Sequence, residues 1–228
     1  MTEADFLDIT RAAYDTVAVS YHHLVRDALA ASPFDRAMLG AFAELALTAT
    51  GSPNGAVGAN GAVGPVADLG CGPGRVTAHL KSLGLNIFGL DLSPAMVAVA
   101  RAAHPQLRFE VGSMTALDLP DGALGGIVAW YSIIHIPPPN LPGVFAEFRR
   151  VLAPGAVLAL AFKVGDERRR LEHAYGHDVS YDVYWMPPDL ITDLLAQAGF
   201  AVRARLLREP EGPEITQQAY LLAHAVER

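Results

Sequence analysis

Apolar runs of strand length alternate with helical patterns through most of the chain. Five apolar runs are predicted as strands, at 65–69, 86–91, 107–111, 125–131 and 156–163. Helical patterns between and after them cover about 74–83, 94–103, 140–152 and 187–198. This alternation is typical of parallel strands joined by crossover helices, so it predicts a doubly wound α/β sheet.

Both ends of the chain extend this pattern. Residues 6–30 and 33–49 carry apolar groups at helical spacing, with Ser32 as the predicted N-cap and Pro33 as the first helical residue. The stretches "FAVRARLLRE" and "TQQAYLLAHAVE" have no long helix between them and predict an antiparallel pair at one edge. The expected fold is a mostly parallel seven-stranded sheet with an antiparallel C-terminal edge strand and an N-terminal helical cap.

The chain is predicted to form a single domain with a flexible connection inside it. The repeated Gly-Ala-Val-Gly of residues 55–64 cannot pack a core and is typical of a linker. The predicted parts are a helical cap (1–49), a Gly/Ala linker (50–64), a central core (65–163), an inserted segment (164–186) and a C-terminal helix with a strand pair (187–228).

Composition narrows the function classes. The 228 residues are 51% hydrophobic and carry a net charge of −7, which disfavours a nucleic-acid partner. No apolar run reaches the roughly eighteen residues of a membrane helix, and the start of the chain lacks the pattern of a signal peptide. The single cysteine, Cys71, cannot form an internal disulfide. We expect a soluble cytoplasmic protein with no nucleic-acid or membrane partner.

A glycine-rich loop, "VADLGCGPGR", follows the first predicted strand, where doubly wound sheets bind ligands. Gly70, Gly72 and Gly74 form Gly-x-Gly-x-Gly, and Arg75 occupies the position of the third glycine in the dinucleotide fingerprint. Asp68 precedes the loop, and its carboxylate would repel a pyrophosphate but attract an ammonium or a sulfonium. The loop therefore favours a nucleoside that bears positive charge.

These motifs resemble those of the class I S-adenosylmethionine-dependent methyltransferases of the small-molecule type, similar to methyltransferase types 11 and 25. "VADLGCGPGR" and "IFGLDLSPAMVAVAR" resemble the first two family motifs, and "FEVGSMTALDLP" resembles the third. "GGIVAWYSIIHI" and "EFRRVLAPGAVLALAF" look like the following strand and helix-strand unit. The resemblance spans about residues 64–163 and implies a Rossmann-like fold that binds S-adenosylmethionine and releases S-adenosylhomocysteine.

The resemblance also implies roles for individual residues. Asp91 would hold both ribose hydroxyls, Ser113 and Met114 would lie at the adenine edge, and "YDTVAVSYHH" resembles a helix that covers the cofactor. Asp68 as a strand-end cap and Asp91 as an N-cap remain alternatives. The predicted cofactor-binding set is Tyr14, Tyr21, Asp68, Gly70, Gly72, Asp91, Leu92, Met96, Ser113, Met114 and Ala129.

Two residues are candidates for taking a proton from the methyl acceptor. His135 follows the fourth strand, and a neutral imidazole there could act as a base. A histidine that only holds the loop is the alternative, and Tyr131 is the second candidate base. Methyl transfer needs few catalytic side chains, because alignment and exclusion of water supply most of the effect.

The inserted segment contains histidines and aromatic residues. His173 and His177 have metal-ligand spacing, but Gly176 argues against a helix and no third ligand is near in sequence, so no metal site is predicted. The aromatic residues of "AYGHDVSYDVYWMPP" predict either a lid over an organic substrate or local packing against a neighbouring helix.

The predicted activity is methyl transfer to a small organic acceptor through oxygen, nitrogen or carbon. Three alternatives stay open at this point: a nicotinamide oxidoreductase, a nucleic-acid methyltransferase and a non-catalytic cofactor-binding protein. The sequence leaves the acceptor and the oligomeric state undetermined.

Overall fold

Nine strands and seven helices appear in the computed structural model, which describes residues 3–51 and 64–226. The strands are β1 Val66–Leu69, β2 Ile87–Asp91, β3 Phe109–Val111, β4 Leu124–Trp130, β5 Leu152–Lys163, β6 Glu167–Ala174, β7 His177–Trp185, β8 Phe200–Arg208 and β9 Gln218–Ala225. The helices are α1 Glu3–Val25, α2 Ala28–Ala31, α3 Pro33–Gly51, α4 Arg75–Ser82, α5 Pro94–Ala103, α6 Leu141–Val151 and α7 Pro188–Gln197. Across these described ranges, none of the helices has the length and apolarity needed to cross a bilayer.

Seven strands form one sheet in the order β3-β2-β1-β4-β5-β9-β8. Strands β1 to β5 are parallel, and β9 runs antiparallel to both β5 and β8. The predicted doubly wound, mostly parallel sheet with a C-terminal antiparallel pair is confirmed. The reversed strand, β9, lies between β5 and β8, so the outermost strand β8 runs parallel to β5.

The sheet separates two hydrophobic clusters, because successive strand residues point to opposite faces. On β1, Ala67 and Leu69 join the cluster that includes α1, α5, α6 and α7. Val66 joins the cluster that includes α2, α3 and α4. Alternation therefore places Asp68 on the same face as Val66, the face covered by α4.

The N-terminal cap consists of three helices. Helix α1 ends at Val25, and the one-turn helix α2 separates it from α3. The backbone N–H of Asp35 donates to the Ser32 hydroxyl oxygen at 3.3 Å, which is the N-cap that the sequence predicts. Of the predicted linker, residues 52–63 lie outside the described residues.

The inserted segment forms a β-hairpin that the sequence pattern did not reveal. Strands β6 and β7 pair antiparallel, and Tyr175 and Gly176 form the two-residue turn, with φ values of 55° and 81°. Positive φ at both positions is typical of a type I′ hairpin turn, in which glycine is favoured. Strand β7 packs against α1 and so brings the hairpin over the carboxyl ends of the parallel strands.

Candidate active site

A cavity lies between α1 and the carboxyl ends of the parallel strands. The loops after β1, β2, β3 and β4 form its floor, and the first turns of α1 form one wall. It is lined by Phe6, Leu7, Thr10, Arg11, Tyr14, Tyr21, Gly70, Gly72, Leu90, Asp91, Leu92, Ser93, Gly112, Ser113, Met114, Trp130, Tyr131, Ser132, His135 and Ile136.

Most of the residues predicted for the site line this cavity. They are Tyr14, Tyr21, Gly70, Gly72, Asp91, Leu92, Ser113, Met114, Tyr131 and His135. Asp68, Met96 and Ala129 do not, because each is at most 1% exposed and lies behind the cavity wall. Met96 and Ala129 pack in the hydrophobic cluster that includes α1.

The sequence patterns did not predict the wall of the cavity that α1 forms. Phe6, Thr10 and Tyr14 follow one another at four-residue spacing on α1, and all three line the cavity. Residues four apart lie on the same side of a helix. The prediction that Tyr14 lies at the site could therefore have identified Phe6 and Thr10 as well.

The glycine loop is held by hydrogen bonds to the next strand. The backbone N–H groups of Gly70 and Cys71 donate to the carbonyl oxygen of Leu90 at 2.7 and 3.1 Å. Gly70 has a φ of 73°, and a Cβ at this position would lie 2.4 Å from the Cβ of Ser132. Only glycine fits there, because a side chain would be strained in its backbone and would clash with the neighbouring loop.

Asp91 ends β2 beside the glycine loop. Its Oδ2 accepts the N–H of Gly72 at 2.7 Å, and its Oδ1 accepts the N–H of Ser93 at 2.9 Å. The N-cap of α5 is Ser93, whose hydroxyl oxygen accepts the N–H of Met96 at 3.1 Å. Burial raises the pKa of Asp91, partly offset by both backbone hydrogen bonds. Each carboxylate oxygen has acceptor capacity left for a ligand hydroxyl.

Asp68 lies beneath the loop rather than on the cavity surface. Its Oδ2 accepts the hydroxyl of Thr77 at 2.6 Å, because strand alternation turns the side chain toward α4. Its Oδ1 is buried and has no hydrogen-bond partner among the described residues. Burial raises the pKa of Asp68 to about 7, against the opposing effects of Thr77 and the Arg75 charge.

Helix α1 is joined to the start of α5 through Asp15. The Ser93 hydroxyl donates to Asp15 Oδ1 at 2.5 Å, and the N–H of Ala95 donates to the same oxygen at 3.1 Å. A carboxylate at this helix start also complements the positive end of the α5 dipole. The sequence reasoning did not identify Asp15.

His135 is held in one tautomer by two partners. Its Nδ1 lies 3.2 Å from the carbonyl oxygen of Asp182, which only accepts, so Nδ1 carries the proton. Its Nε2 lies 2.8 Å from the Tyr14 hydroxyl oxygen and accepts a hydrogen bond from that hydroxyl. Burial lowers the pKa of His135 to about 4. The imidazole is therefore neutral near pH 7, and its basic nitrogen is already engaged.

Tyr131 lines the cavity, but its hydroxyl is bound elsewhere. The Tyr220 hydroxyl donates to Asp35 Oδ1 at 2.7 Å, so the Tyr131 hydroxyl, 3.1 Å away, donates to the Tyr220 oxygen. Burial raises the pKa of Tyr131 well above its ordinary value. The role of Tyr131 in taking a proton from the acceptor stays a prediction, and this geometry does not favour it. The residue has a φ of 57°, an uncommon conformation outside glycine.

Four tyrosines join α1 to the hairpin, and we call them the tyrosine cluster: Tyr14, Tyr21, Tyr175 and Tyr181. The ring centroids of Tyr21 and Tyr175 are 4.9 Å apart, and those of Tyr14 and Tyr181 are 5.6 Å apart. The Ser20 hydroxyl and His177 Nε2 add a polar contact at 2.9 Å. The aromatic residues of the insertion thus pack directly on the helix that forms the cavity wall.

The two histidines of the hairpin have different polar partners. His173 pairs with Asp178 at 3.0 Å on the surface, and His177 faces Ser20. Within the part of the chain that the structure describes, no three His, Cys, Asp or Glu side chains are grouped to hold a metal ion.

Comparisons with known proteins agree with this geometry. Residues 66–155 match the family described as methyltransferase domain. Trans-aconitate 2-methyltransferase from Variovorax paradoxus is 35% identical over 127 residues, covering 54% of this chain and 47% of that protein. N-demethylindolmycin N-methyltransferase from Streptomyces griseus is 32% identical over 124 residues, covering 52% and 49%. The chain spans about half the length of the curated relatives it matches.

Solved structures share the fold over a longer range. The 1,6-didemethyltoxoflavin N1-methyltransferase of Burkholderia thailandensis, solved with that compound and S-adenosylhomocysteine, superposes with a TM-score of 0.68. The superposition covers 100% of this chain and 92% of that one, at 17% sequence identity. Residues 66–155 are thus similar to the methyltransferase domain family, and the described chain shares its fold with a solved methyltransferase.

Proposed function

We propose that this protein transfers a methyl group from S-adenosylmethionine to a small organic acceptor. The observation that carries the proposal is the position of Asp91, which fastens the glycine loop through Gly72 and faces the cavity. A carboxylate at the end of the second strand can accept two vicinal hydroxyls with the lone pairs that the backbone N–H groups leave unused. The relatives named above methylate small molecules, which supports the same class of acceptor.

The residues around the cavity fit S-adenosylmethionine. At Gly72, an added Cβ would meet only the Tyr21 ring at 3.7 Å, so the absence of a side chain leaves room beside the loop. We propose that this space receives the methionine portion and that Ser113 and Met114 border the adenine. The unpartnered Oδ1 of Asp68 beneath the loop supplies negative potential for the ammonium group.

S-adenosylmethionine, when bound, supplies a methyl group already activated on a sulfonium. The protein therefore needs to align the acceptor and exclude water from the reacting centre. The tyrosine cluster and the first turns of α1 cover the cavity and perform that exclusion. Asp15 binds the start of α5 and so fixes the position of α1 over the cavity.

We assign His135 to positioning rather than to proton abstraction. An efficient general base has a pKa near the working pH, whereas burial holds the pKa of His135 at about 4. Its Nε2 instead anchors the Tyr14 hydroxyl, and its Nδ1 anchors the hairpin backbone at Asp182. The imidazole thereby ties α1 and β7 to the loop after β4.

Titration calorimetry with S-adenosylmethionine and S-adenosylhomocysteine tests the cofactor assignment. The parent protein should bind both, and Asp91→Ala should bind at least tenfold more weakly, since it loses charge-assisted hydrogen bonds. Asp193→Ala is the matched control, because Asp193 is an exposed carboxylate on α7 away from the cavity. No binding by the parent, or equal binding by Asp91→Ala, would overturn the assignment.

Incubation of a metabolite extract with the protein and methyl-labelled cofactor tests catalysis. Mass spectrometry should find a labelled small molecule that is absent with the Asp91→Ala protein. Tight cofactor binding without a labelled product from any extract would indicate a non-catalytic cofactor-binding protein instead.

A further inference from the structure

A second, smaller cavity, with room for about one water molecule, adjoins the main one. It shares Phe6, Thr10 and His135 with the main cavity and adds Ile9, Asp182 and Tyr184. Because the shared residues stand on the side of the site formed by α1 and the hairpin, the small cavity extends the acceptor end rather than the glycine loop.

Asp182, which lines this cavity, carries one polar atom without a hydrogen-bond partner among the described residues. Its side chain is 8% exposed, and its Oδ2 pairs with Arg168 at 2.9 Å and with Arg170 at 3.5 Å. Its Oδ1 is buried and has no hydrogen-bond partner within the described residues. A buried carboxylate oxygen without a donor is costly, so a ligand that supplies one gains the corresponding free energy.

The surrounding charges select the kind of donor. Arg168 and Arg170 each carry one positive charge against the single negative charge of Asp182, so the local sum favours a neutral group over an ammonium. The remaining lining is largely apolar or aromatic, with Phe6, Ile9 and Tyr184.

We propose that the small cavity is an acceptor subsite in which Asp182 Oδ1 accepts a hydrogen bond from a neutral N–H or O–H of an otherwise apolar acceptor. The proposal rests on the proposed function, since it assigns the acceptor end of that same site. It adds a substrate class: acceptors whose apolar body lies in the main cavity and whose neutral donor group reaches into the small one.

Indole and benzofuran form a matched pair of probes. They have nearly the same shape, but indole carries a ring N–H where benzofuran carries an oxygen. In NMR titrations of the protein with and without S-adenosylhomocysteine, we expect indole to bind about tenfold more tightly, with shifts at the backbone amides of Ile9 and Thr10. Equal affinities, or shifts confined to other residues, would overturn the proposal.

Asp182→Asn tests the residue itself. The two arginines are donors only, so they will hold the amide oxygen and turn the amide NH₂ toward the cavity. Indole and benzofuran should then bind with about equal affinity, or benzofuran should bind more tightly. Asp178→Asn, on the same strand with a fully exposed side chain, is the control and should keep the parent preference.

These measurements separate the subsite from the proposed function. If the protein fails to bind S-adenosylhomocysteine but prefers indole at Ile9 and Thr10, the methyltransferase assignment fails and the subsite stands. If it binds the cofactor product but shows no preference in the parent protein, the subsite fails alone. The parent measurement decides this even if Asp182→Asn does not fold.

Discussion

The Tyr14 hydroxyl lies 2.8 Å from His135 Nε2 and donates to it, joining the N-terminal helix to the loop after the fourth strand. Because Nδ1 of the same ring is fixed on the Asp182 carbonyl, His135 is a neutral connector between α1 and the hairpin. This one contact makes the cavity wall depend on a residue that the sequence suggested as a base.

If His135 is a connector, His135→Ala should lower kcat by about tenfold or less and leave the shape of the pH profile between pH 6 and 9 unchanged. Loss of a general base would instead cost a factor of about 10² to 10⁴. Turnover of the acceptor identified by mass spectrometry, measured across that range, checks this. His23→Ala, at an exposed position of α1, controls for the loss of an imidazole as such. A loss in kcat of more than a hundredfold that is recovered at high pH would show that His135 acts as a base.

His135 should also make stability depend on pH. Its pKa falls from an ordinary 6.5 to about 4 in the folded protein, so below pH 6.5 the unfolded chain binds a proton that the folded one does not. The contribution of His135 to the free energy of unfolding should therefore fall as pH decreases, by about 2 kcal/mol between pH 6.5 and 5. Asp68, whose pKa is raised, contributes with the opposite sign in both the parent and His135→Gln. Urea unfolding at pH 7.5 and pH 5 should therefore show a change that is about 2 kcal/mol less favourable in the parent than in His135→Gln. Equal losses in both proteins would contradict the assignment.

Asp68 should couple cofactor binding to a proton. Since burial holds its pKa at about 7, part of the population is protonated at neutral pH, and a ligand cation nearby favours the ionised form. Binding of S-adenosylmethionine should release a proton and strengthen about tenfold from pH 5.5 to 7. Calorimetry in buffers of different ionisation enthalpy measures the release. Asp68→Asn should show neither effect, whereas Asp118→Asn, at an exposed position, should match the parent.

Gly70→Ala should cost more than a left-handed backbone alone explains. Gly70 and Gly155 have φ values of 73° and 75°, but only at Gly70 would a Cβ clash, 2.4 Å from Ser132. We expect Gly155→Ala to lose about 1 kcal/mol of stability, and Gly70→Ala to lose about 3 kcal/mol or more together with S-adenosylhomocysteine binding. Thermal unfolding and calorimetry on both variants check the comparison. Similar losses in the two would show that the contact with Ser132 relaxes freely.

The contributions of the Tyr220 and Tyr131 hydroxyls to stability should be coupled. Tyr220→Phe leaves Asp35 Oδ1 and the Tyr131 hydroxyl without this partner and should cost about 1 to 3 kcal/mol. In the Tyr131→Phe background the same change should cost less, because one of the groups that lose their partner is already absent. Urea unfolding of the single and double variants measures the coupling. Strict additivity would contradict the hydrogen-bonded chain.

Local spacing was enough to predict that the glycine loop and the acidic end of β2 lie beside the cavity. Gly70, Gly72 and Asp91 depend on backbone geometry that one strand and its loop impose, so their roles are encoded close together in the chain. The alternation of strands and helices likewise predicted the layered sheet, because period and length are properties of each segment alone.

Tertiary packing decided the rest. Which face of β1 meets the cavity depends on where α1 and α4 pack, and this turned Asp68 beneath the loop. The hydroxyl of Tyr131 points to Tyr220, 89 residues away in sequence, and His135 lost its basic character by burial between α1 and β7. These outcomes rest on burial and on long-range partners, whose energies no local pattern of residues contains.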